Sequence, residues 1–226
     1  MSRKILIVDD EPGIRNLISA YLRKEGYEIF EADDGEKAVK AAHAFKPDLI
    51  ILDIMLPGIN GLEVLTQIRR ESQAYTIFLT ARTEETDRIV GLTLGGDDYV
   101  TKPFSPKELV ARVNAAFRRL QTQTATQSIL FSQHLRLDRK SRNVLVEDSQ
   151  LELTQMEFDL LATLMEHHGQ VLSREQLLDH VWGAAYYGET RVVDVHVGHI
   201  RQKLNDRFIT TIRGIGYRFD DEVETS

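Results

Sequence analysis

Asp9, Asp10, Asp53, Thr80 and Lys102 are the residues of this 226-residue chain whose types and placement suit chemistry in concert. Asp9-Asp10-Glu11 follows the aliphatic run KILIV (4–8), and Asp53 closes another, Leu49 to Leu52, with Ile54, Met55 and Leu56 directly after it. A charge at the end of such a run is costly unless a partner or a solvent edge receives it. Three carboxylates in one cleft repel one another and raise one another's pKa unless a cation joins them. A hard divalent ion answers this, Mg²⁺ being commonly held by carboxylates, waters and a phosphate. A carboxylate can also be a nucleophile that forms an aspartyl phosphate. Lys102 would then neutralise phosphoryl oxygens and the Thr80 hydroxyl would donate to one of them, the electrostatic clamp that phosphoryl transfer needs. Each feature by itself is also an ordinary turn, cap or strand end; the argument rests on their combination. The chain has no Gly-rich phosphate loop, which disfavours a nucleotide-binding enzyme.

The elements that must position these residues read as follows. KILIV (4–8), EIFEA (28–32), DLIILD (48–53), YTIFLT (75–80) and DYVTK (98–102) are strand-like. Between them lie helical patterns, such as Ile14, Leu17, Ile18, Tyr21 and Leu22, then Leu62, Leu65 and Ile68, then Leu109, Val113 and Phe117. Ser105-Pro106-Lys107-Glu108 opens the last of these with a cap, a proline at the first helical position and a capping-box acid. Strict β–α alternation predicts a parallel sheet with helices on both faces, an α/β unit. Functional groups then gather at the carboxyl ends of the strands, where all five chemical residues lie.

The alternation stops at the uncharged QTQTATQS (121–128), which reads as a linker. Beyond it, ILF (129–131), LRL (135–137), VLV (144–146) and LEL (151–153) predict an antiparallel sheet. Thr154/Glu157 and Ser173/Gln176 open two helices with capping boxes, the first ended by Gly169 and the second near Trp182. A third helix over about 190–204 buries Val193, Val197, Ile200 and Leu204. Phe208–Arg213 and Tyr217–Asp220 predict a hairpin. Three helices and a hairpin suggest an α+β winged helix-turn-helix.

Composition sets the partners. The net charge of −7 argues against non-specific coating of nucleic acid, yet residues 191–218 carry six Lys/Arg against two Asp, a net of +4. No apolar run is long enough to span a bilayer, and MSRKILIVDDE is not a secretory signal. With no cysteine there is no disulfide framework. A cytoplasmic protein without a membrane partner is expected.

The motifs ILIVDDE, DLIILDIMLPGINGLEVL, FLTA, GGDDYVTKPF and SPKELVARV resemble the receiver domain of two-component response regulators. LTQMEFDLLATLMEHHGQVLSREQLLDHVWG, RVVDVHVGHIRQKL and TIRGIGYRF resemble the winged-helix effector of the OmpR/PhoB subfamily. The resemblance implies a flavodoxin-like (βα)5 receiver over 1–120, a linker over 121–128, a winged-helix effector over 129–221 and an acidic tail over 222–226. It implies a phosphorylation-controlled, sequence-specific transcription regulator rather than an enzyme. Asp53 would accept phosphate from a sensor histidine kinase. Asp9, Asp10, Asp53 and the Met55 backbone carbonyl would hold Mg²⁺. Lys102, before a cis Pro103, would contact the phosphoryl group, and Thr80 and Tyr99 would be the switch pair. A homodimer of the phosphorylated form would use the face of the fourth helix, fifth strand and fifth helix, through Arg88, Asp97, Asp98, Glu108 and Arg112. The dimer would bind direct-repeat half-sites in double-stranded DNA, with RNA polymerase a further partner.

For the third helix of the second half, the outward face includes Arg191, Val195, His196, Gly198, His199, Gln202 and Lys203, flanked by Arg201, with Arg213 on the wing. Arg suits guanine, Gln adenine and Val195 a thymine methyl; Arg213 suits a minor groove, and Arg207 and Lys203 suit phosphate. Related helices often carry basic residues or Ser-Arg where this chain has Gly198-His199, which implies fewer basic contacts. Two rival readings remain at this stage. A small phosphatase would need a general acid two residues after Asp53, where Met55 stands. A degenerate, unphosphorylated receiver sits poorly with the intact set of five residues.

Overall fold

The computed structural model describes residues 3–81, 96–121, 129–183, 186 and 190–221. The chain divides into two compact units, Met1–Asn114 and Ala115–Ser226.

In the first, β1 (Lys4–Val8), β2 (Glu28–Ala32), β3 (Leu49–Asp53), β4 (Tyr75–Ala81) and β5 (Asp98–Lys102) pair in parallel, in the order β2-β1-β3-β4-β5. Ile5 to Val8 and Leu49 to Leu52 are wholly buried, as unbroken apolar strands covered on both faces must be. The covering helices are α1 (Pro12–Lys24), α2 (Gly35–Phe45), α3 (Gly61–Ile68) and α4 (Pro106–Gln121). Each buries one apolar stripe: Ile18 and Leu22 on α1, Val64, Leu65 and Ile68 on α3, Leu109 and Val113 on α4. Asn60 and Glu63 form a reciprocal capping box that starts α3 immediately after the loop carrying Met55. The order reverses between β1 and β3, so the crevice at their carboxyl ends is the topological switch point. The helix expected between β4 and β5 lies outside the described residues, as do all of the expected linker except Gln121 and the acidic tail.

In the second unit, β6 (Ile129–Phe131), β7 (Leu135–Asp138), β8 (Asn143–Val146) and β9 (Ser149–Leu151) form an antiparallel meander. β9 starts two residues before the expected LEL strand. Glu147 and Asp148 both adopt positive φ, 49° and 66°, and Val146 faces Ser149, so the hairpin closes in a two-residue turn. Then come α5 (Gln155–Glu166), α6 (Arg174–Val181) and α7 (Arg191–Lys203), with the hairpin β11 (Ile209–Ile212) and β12 (Gly216–Phe219). A two-residue strand, β10 (Leu172–Ser173), pairs with β12. It was not anticipated, being too short to show alternation. Both expected capping boxes, Thr154/Glu157 and Ser173/Gln176, are present. Trp182 is fully buried, as are Leu161, Leu177 and Ile200 around the three helices. This is the winged helix-turn-helix.

Candidate functional site

The ends of β1, β3, β4 and β5 bring the predicted chemical residues together. Asp9 is fully buried, Asp53 is 3% exposed and Thr80 2%, while Asp10 is exposed. Ligand oxygens of Asp9, Asp10 and Asp53 lie within 4.8 Å of one another, a group able to hold a metal ion. Lys102 Nζ donates to Asp53 Oδ2 at 2.6 Å and to Asp9 Oδ2 at 2.8 Å. The other Asp53 oxygen accepts the Met55 N–H at 3.0 Å, and Asp9 Oδ1 accepts the Glu11 N–H at 2.9 Å. Burial drives the Asp9 pKa up, the negative Asp53 adds to the rise, and the bonds from Lys102 and Glu11 offset it in part. Burial would lower the Lys102 pKa, but its bonds to Asp53 and Asp9 outweigh that and raise it. One ammonium among three carboxylates leaves excess negative charge, so the donor set fits a hard divalent cation.

The neighbouring strands set the remaining geometry. Asp53 lies in register with Leu79, so Thr80 is the next residue along β4, and Phe78 lies in register with Tyr99. The Tyr99 ring is inside, 8% exposed. Lys102–Pro103 is cis, as expected. A contributor invisible in the motif chemistry is Gly61: a Cβ there would sit 2.1 Å from the Asp53 carbonyl oxygen, so glycine is what lets α3 start against the Asp53 loop. Arg15 also escaped the sequence reading; its guanidinium donates to the Asp9 carbonyl at 2.6 Å.

The expected dimer residues are partly redrawn. Asp97 is 1% exposed and accepts from Arg69 Nη2 and from the Thr76 N–H, each at 2.8 Å. It is therefore not a surface ion-pair residue: a carboxylate that deep must be matched inside. Asp98, 2% exposed, is paired within the chain to Arg112 at 3.1 Å, and Arg112 also holds Glu108 at 2.9 Å. Arg88 lies outside the described residues.

In the second unit, α7 presents fewer polar groups outward than expected. His196 is 1% exposed, its ring 5.4 Å from that of Trp182. Val192, Val193, His196, Val197 and Ile200 form a broad buried stripe because α7 packs on both α5 and α6. His196 is thus withdrawn from the expected DNA face. His199 turns inward too, its side chain 11% exposed and its Nδ1 3.5 Å from Glu157 Oε1. Lys203 Nζ donates to Glu157 Oε2 at 2.7 Å. Glu157 is 1% exposed, and such a carboxylate needs cationic partners. Burial alone would raise its pKa, yet His199, Lys203 and the Thr154 N–H hold it down at about 2. Arg201 donates to the Ile209 carbonyl and the Thr211 hydroxyl, both at 2.7 Å, fastening α7 to the wing. Asp194 accepts from Arg174 at 2.6 Å and from the Tyr217 hydroxyl at 2.7 Å. Arg207 pairs with Glu147 at 2.7 Å. Arg191, Gly198, Gln202 and Lys203 are exposed and Val195 half-buried, with Arg213 exposed at the hairpin tip.

Known proteins match this architecture along the chain. Residues 5–114 match the family described as response regulator receiver domain, and 148–219 match transcriptional regulatory protein, C terminal. The phosphate regulon transcriptional regulatory protein PhoB of Klebsiella pneumoniae is 46% identical over 97% of this chain and 98% of that protein. The alkaline phosphatase synthesis transcriptional regulatory protein PhoP of Bacillus subtilis is 43% identical, covering 98% of each. Among solved structures, a RitR mutant aligns with TM-score 0.78 and 30% identity over 97% of this chain and 99% of that one. The Thermotoga maritima OmpR/PhoB homologue DrrB gives TM-score 0.53 and 31% identity, with the same coverage. These relatives are transcriptional regulators, so the phosphatase reading falls. Among the described residues, no helix is long and apolar enough to cross a membrane. With both domain families in order and such identity over nearly its whole length, the chain belongs to the OmpR/PhoB-type response regulators, phosphorylation-dependent regulators of transcription.

Proposed function

We propose that Asp53 takes a phosphoryl group from the phosphohistidine of a sensor kinase, and that the phosphorylated chain pairs with a second copy to bind two DNA half-sites. The observation that carries this reading is Lys102 Nζ, 2.6 Å from Asp53 in a pocket with Asp9 and Asp10. Mg²⁺ would supply Lewis-acid neutralisation of phosphoryl oxygens, and Asp9, Asp10, Asp53 and the Met55 carbonyl are the residues that would hold it. A carboxylate oxygen of Asp53 attacks phosphorus and the P–N bond breaks. The donor imidazole leaves with the electron pair and takes a proton from solvent. Lys102 keeps Asp9 and turns from the Asp53 carboxylate to the new phosphoryl oxygens. Thr80, one strand away, donates its hydroxyl to another of them.

The added charge needs a bistable element to act through. Thr80 and Tyr99 are that element in this reading: Thr80 moves to the phosphate and the Tyr99 ring fills behind it. The adjoining face, with Asp98, Glu108 and Arg112, then forms the dimer. Asp98 and Arg112 already hold each other, so an inter-subunit pair requires an exchange of partners. On DNA, Arg191, Val195 and Gln202 of α7 read the major groove and Arg213 enters the minor groove. The test is intact mass and gel filtration after incubation with a small phosphodonor and Mg²⁺, for the native chain and Asp53→Ala. One phosphoryl group on the native chain only, with a shift to dimer, is the expected result. No addition to the native chain would end this reading.

A further inference from the structure

With no cysteine in the chain, histidine is the donor that an ion of the zinc class would use. Of the seven histidines, His43 and His134 each face a carboxylate, at 2.7 Å from Glu71 and 2.9 Å from Asp221. His196 is buried, His199 turns to Glu157, and His168 lies edge-on to Phe219. His167 and His180 instead face each other, with ring centroids 5.1 Å apart and planes tilted by 49°. Neither is buried, and His180 is exposed to solvent.

Three features of this pair suit a shared cation. The first is the separation. With Zn–N bonds of about 2.0–2.1 Å and a tetrahedral angle, two imidazoles on one ion have centroids about 5.2 Å apart. The second is the tautomer of His167. Its Nδ1 lies 2.9 Å from the Thr163 carbonyl oxygen, which only accepts, so Nδ1 carries the hydrogen and Nε2 keeps a free lone pair. A bond from the other ring nitrogen to a carbonyl is what orients a metal-ligating histidine. The third is the backbone. His167 is the C-cap of α5 and His180 stands in the last turn of α6, so both rings sit at helix C-termini, where positive charge is favoured.

We propose that His167 and His180 form a binding site for one divalent transition-metal ion of the zinc class, with water in its remaining positions. The two residues are thirteen apart, so the ion closes the α5–α6 connection into a loop and stabilises the second unit. The site uses nitrogen ligands and is separate from the carboxylate pocket at Asp53, on whose phosphorylation it does not depend. The test titrates Zn²⁺ calorimetrically into the untagged full chain in excess Mg²⁺, which takes oxygen ligands and leaves imidazole free. His167→Gln and His180→Gln are measured beside the native chain. The native chain takes up one Zn²⁺, and each variant binds it at least about ten-fold more weakly. Zn²⁺ also raises the urea midpoint read from Trp182 emission in the native chain and in neither variant. The same emission without metal checks that the variants keep the fold. His180 is exposed, so His180→Gln carries the test if His167→Gln does not fold. A native chain that takes up no Zn²⁺ overturns the proposal. So does uptake that either folded variant retains in full, which places the ion elsewhere, and so does one ion shared between two chains.

Discussion

Lys102 stands between two carboxylates that would otherwise confront each other across the end of the sheet. Its ammonium lies 2.6 Å from Asp53 and 2.8 Å from Asp9, and both are almost wholly buried. It therefore does two things of opposite sign. It lowers the pocket's affinity for a cation by supplying positive charge, and in the proposed function it stands beside the nucleophile to receive the phosphoryl oxygens. Lys102→Ala separates them. Mg²⁺ affinity, measured calorimetrically, rises by about ten-fold as the carboxylates lose their resident partner. Phosphoryl uptake from a small donor slows by about 10²–10³-fold, the usual effect of removing one electrostatic contact to a transition state. Calorimetry is the right probe because the only tryptophan, Trp182, lies in the second unit. An unchanged Mg²⁺ affinity would show that Lys102 is not the pocket's counter-ion.

At the scale of elements, the buried Glu157 is where α5 and α7 meet. It completes the capping box of α5 through Thr154 and holds Lys203 and His199 of α7. Its pKa falls from 4.5 to about 2 on folding. A lowered carboxylate pKa stabilises the fold fully above the unfolded value and loses that stabilisation as pH falls toward the folded one. The window here runs from about pH 4.5 down to about pH 2. Glu157→Gln is therefore less stable than the native chain by about 3 kcal/mol at pH 7, and the gap narrows to about 1 kcal/mol at pH 3. Urea unfolding followed by Trp182 emission reports this unit, since that side chain is fully buried there. A gap that does not change with pH would assign the loss to packing instead. Glu157 also marks the limit of what sequence could reveal. Its capping-box role was legible, because both partners lie within one helical turn. Its ties to Lys203 and His199 span more than forty residues and left no local pattern. Helical spacing likewise located α7 but not the width of its buried stripe, which depends on a second packing partner and so misplaced His196. The strand ends of the acidic pocket, by contrast, were legible, since strand order alone sends Asp9, Asp53, Thr80 and Lys102 to one edge, while Gly61 and Arg15 depend on tertiary approach and left no pattern. Asp97, just ahead of β5, was misread because only tertiary packing decides which of Asp97 and Asp98 meets Arg69.

For the whole molecule, charge and symmetry decide how a weak reader becomes a selective one. The chain carries −7 overall, while residues 191–218 carry +4. The acidic remainder repels DNA and orients the basic segment toward it. Several cations of that segment are engaged internally, Arg201, Lys203 and Arg207 among them. A single effector unit therefore has modest affinity, and in the proposed function selectivity comes from two units binding at once. Linking two readers makes the second event intramolecular and raises affinity by about 10²–10⁴-fold without any new contact. In the proposed function Asp53 is the control point, and this gain is expected on phosphorylation. The phosphorylated native chain binds a duplex with two half-sites more tightly than one with a single half-site, by a factor in that range. The untreated chain and Asp53→Ala gain little from the second half-site. Moving the half-sites apart by half a helical turn, about five base pairs, places the second on the opposite face of the duplex and removes the gain. Titrating the labelled duplexes at one fixed salt concentration measures all these terms, because counterion release otherwise dominates the comparison. Equal gains for the native chain and Asp53→Ala would mean that the units assemble without phosphate, and that Asp53 controls some other step.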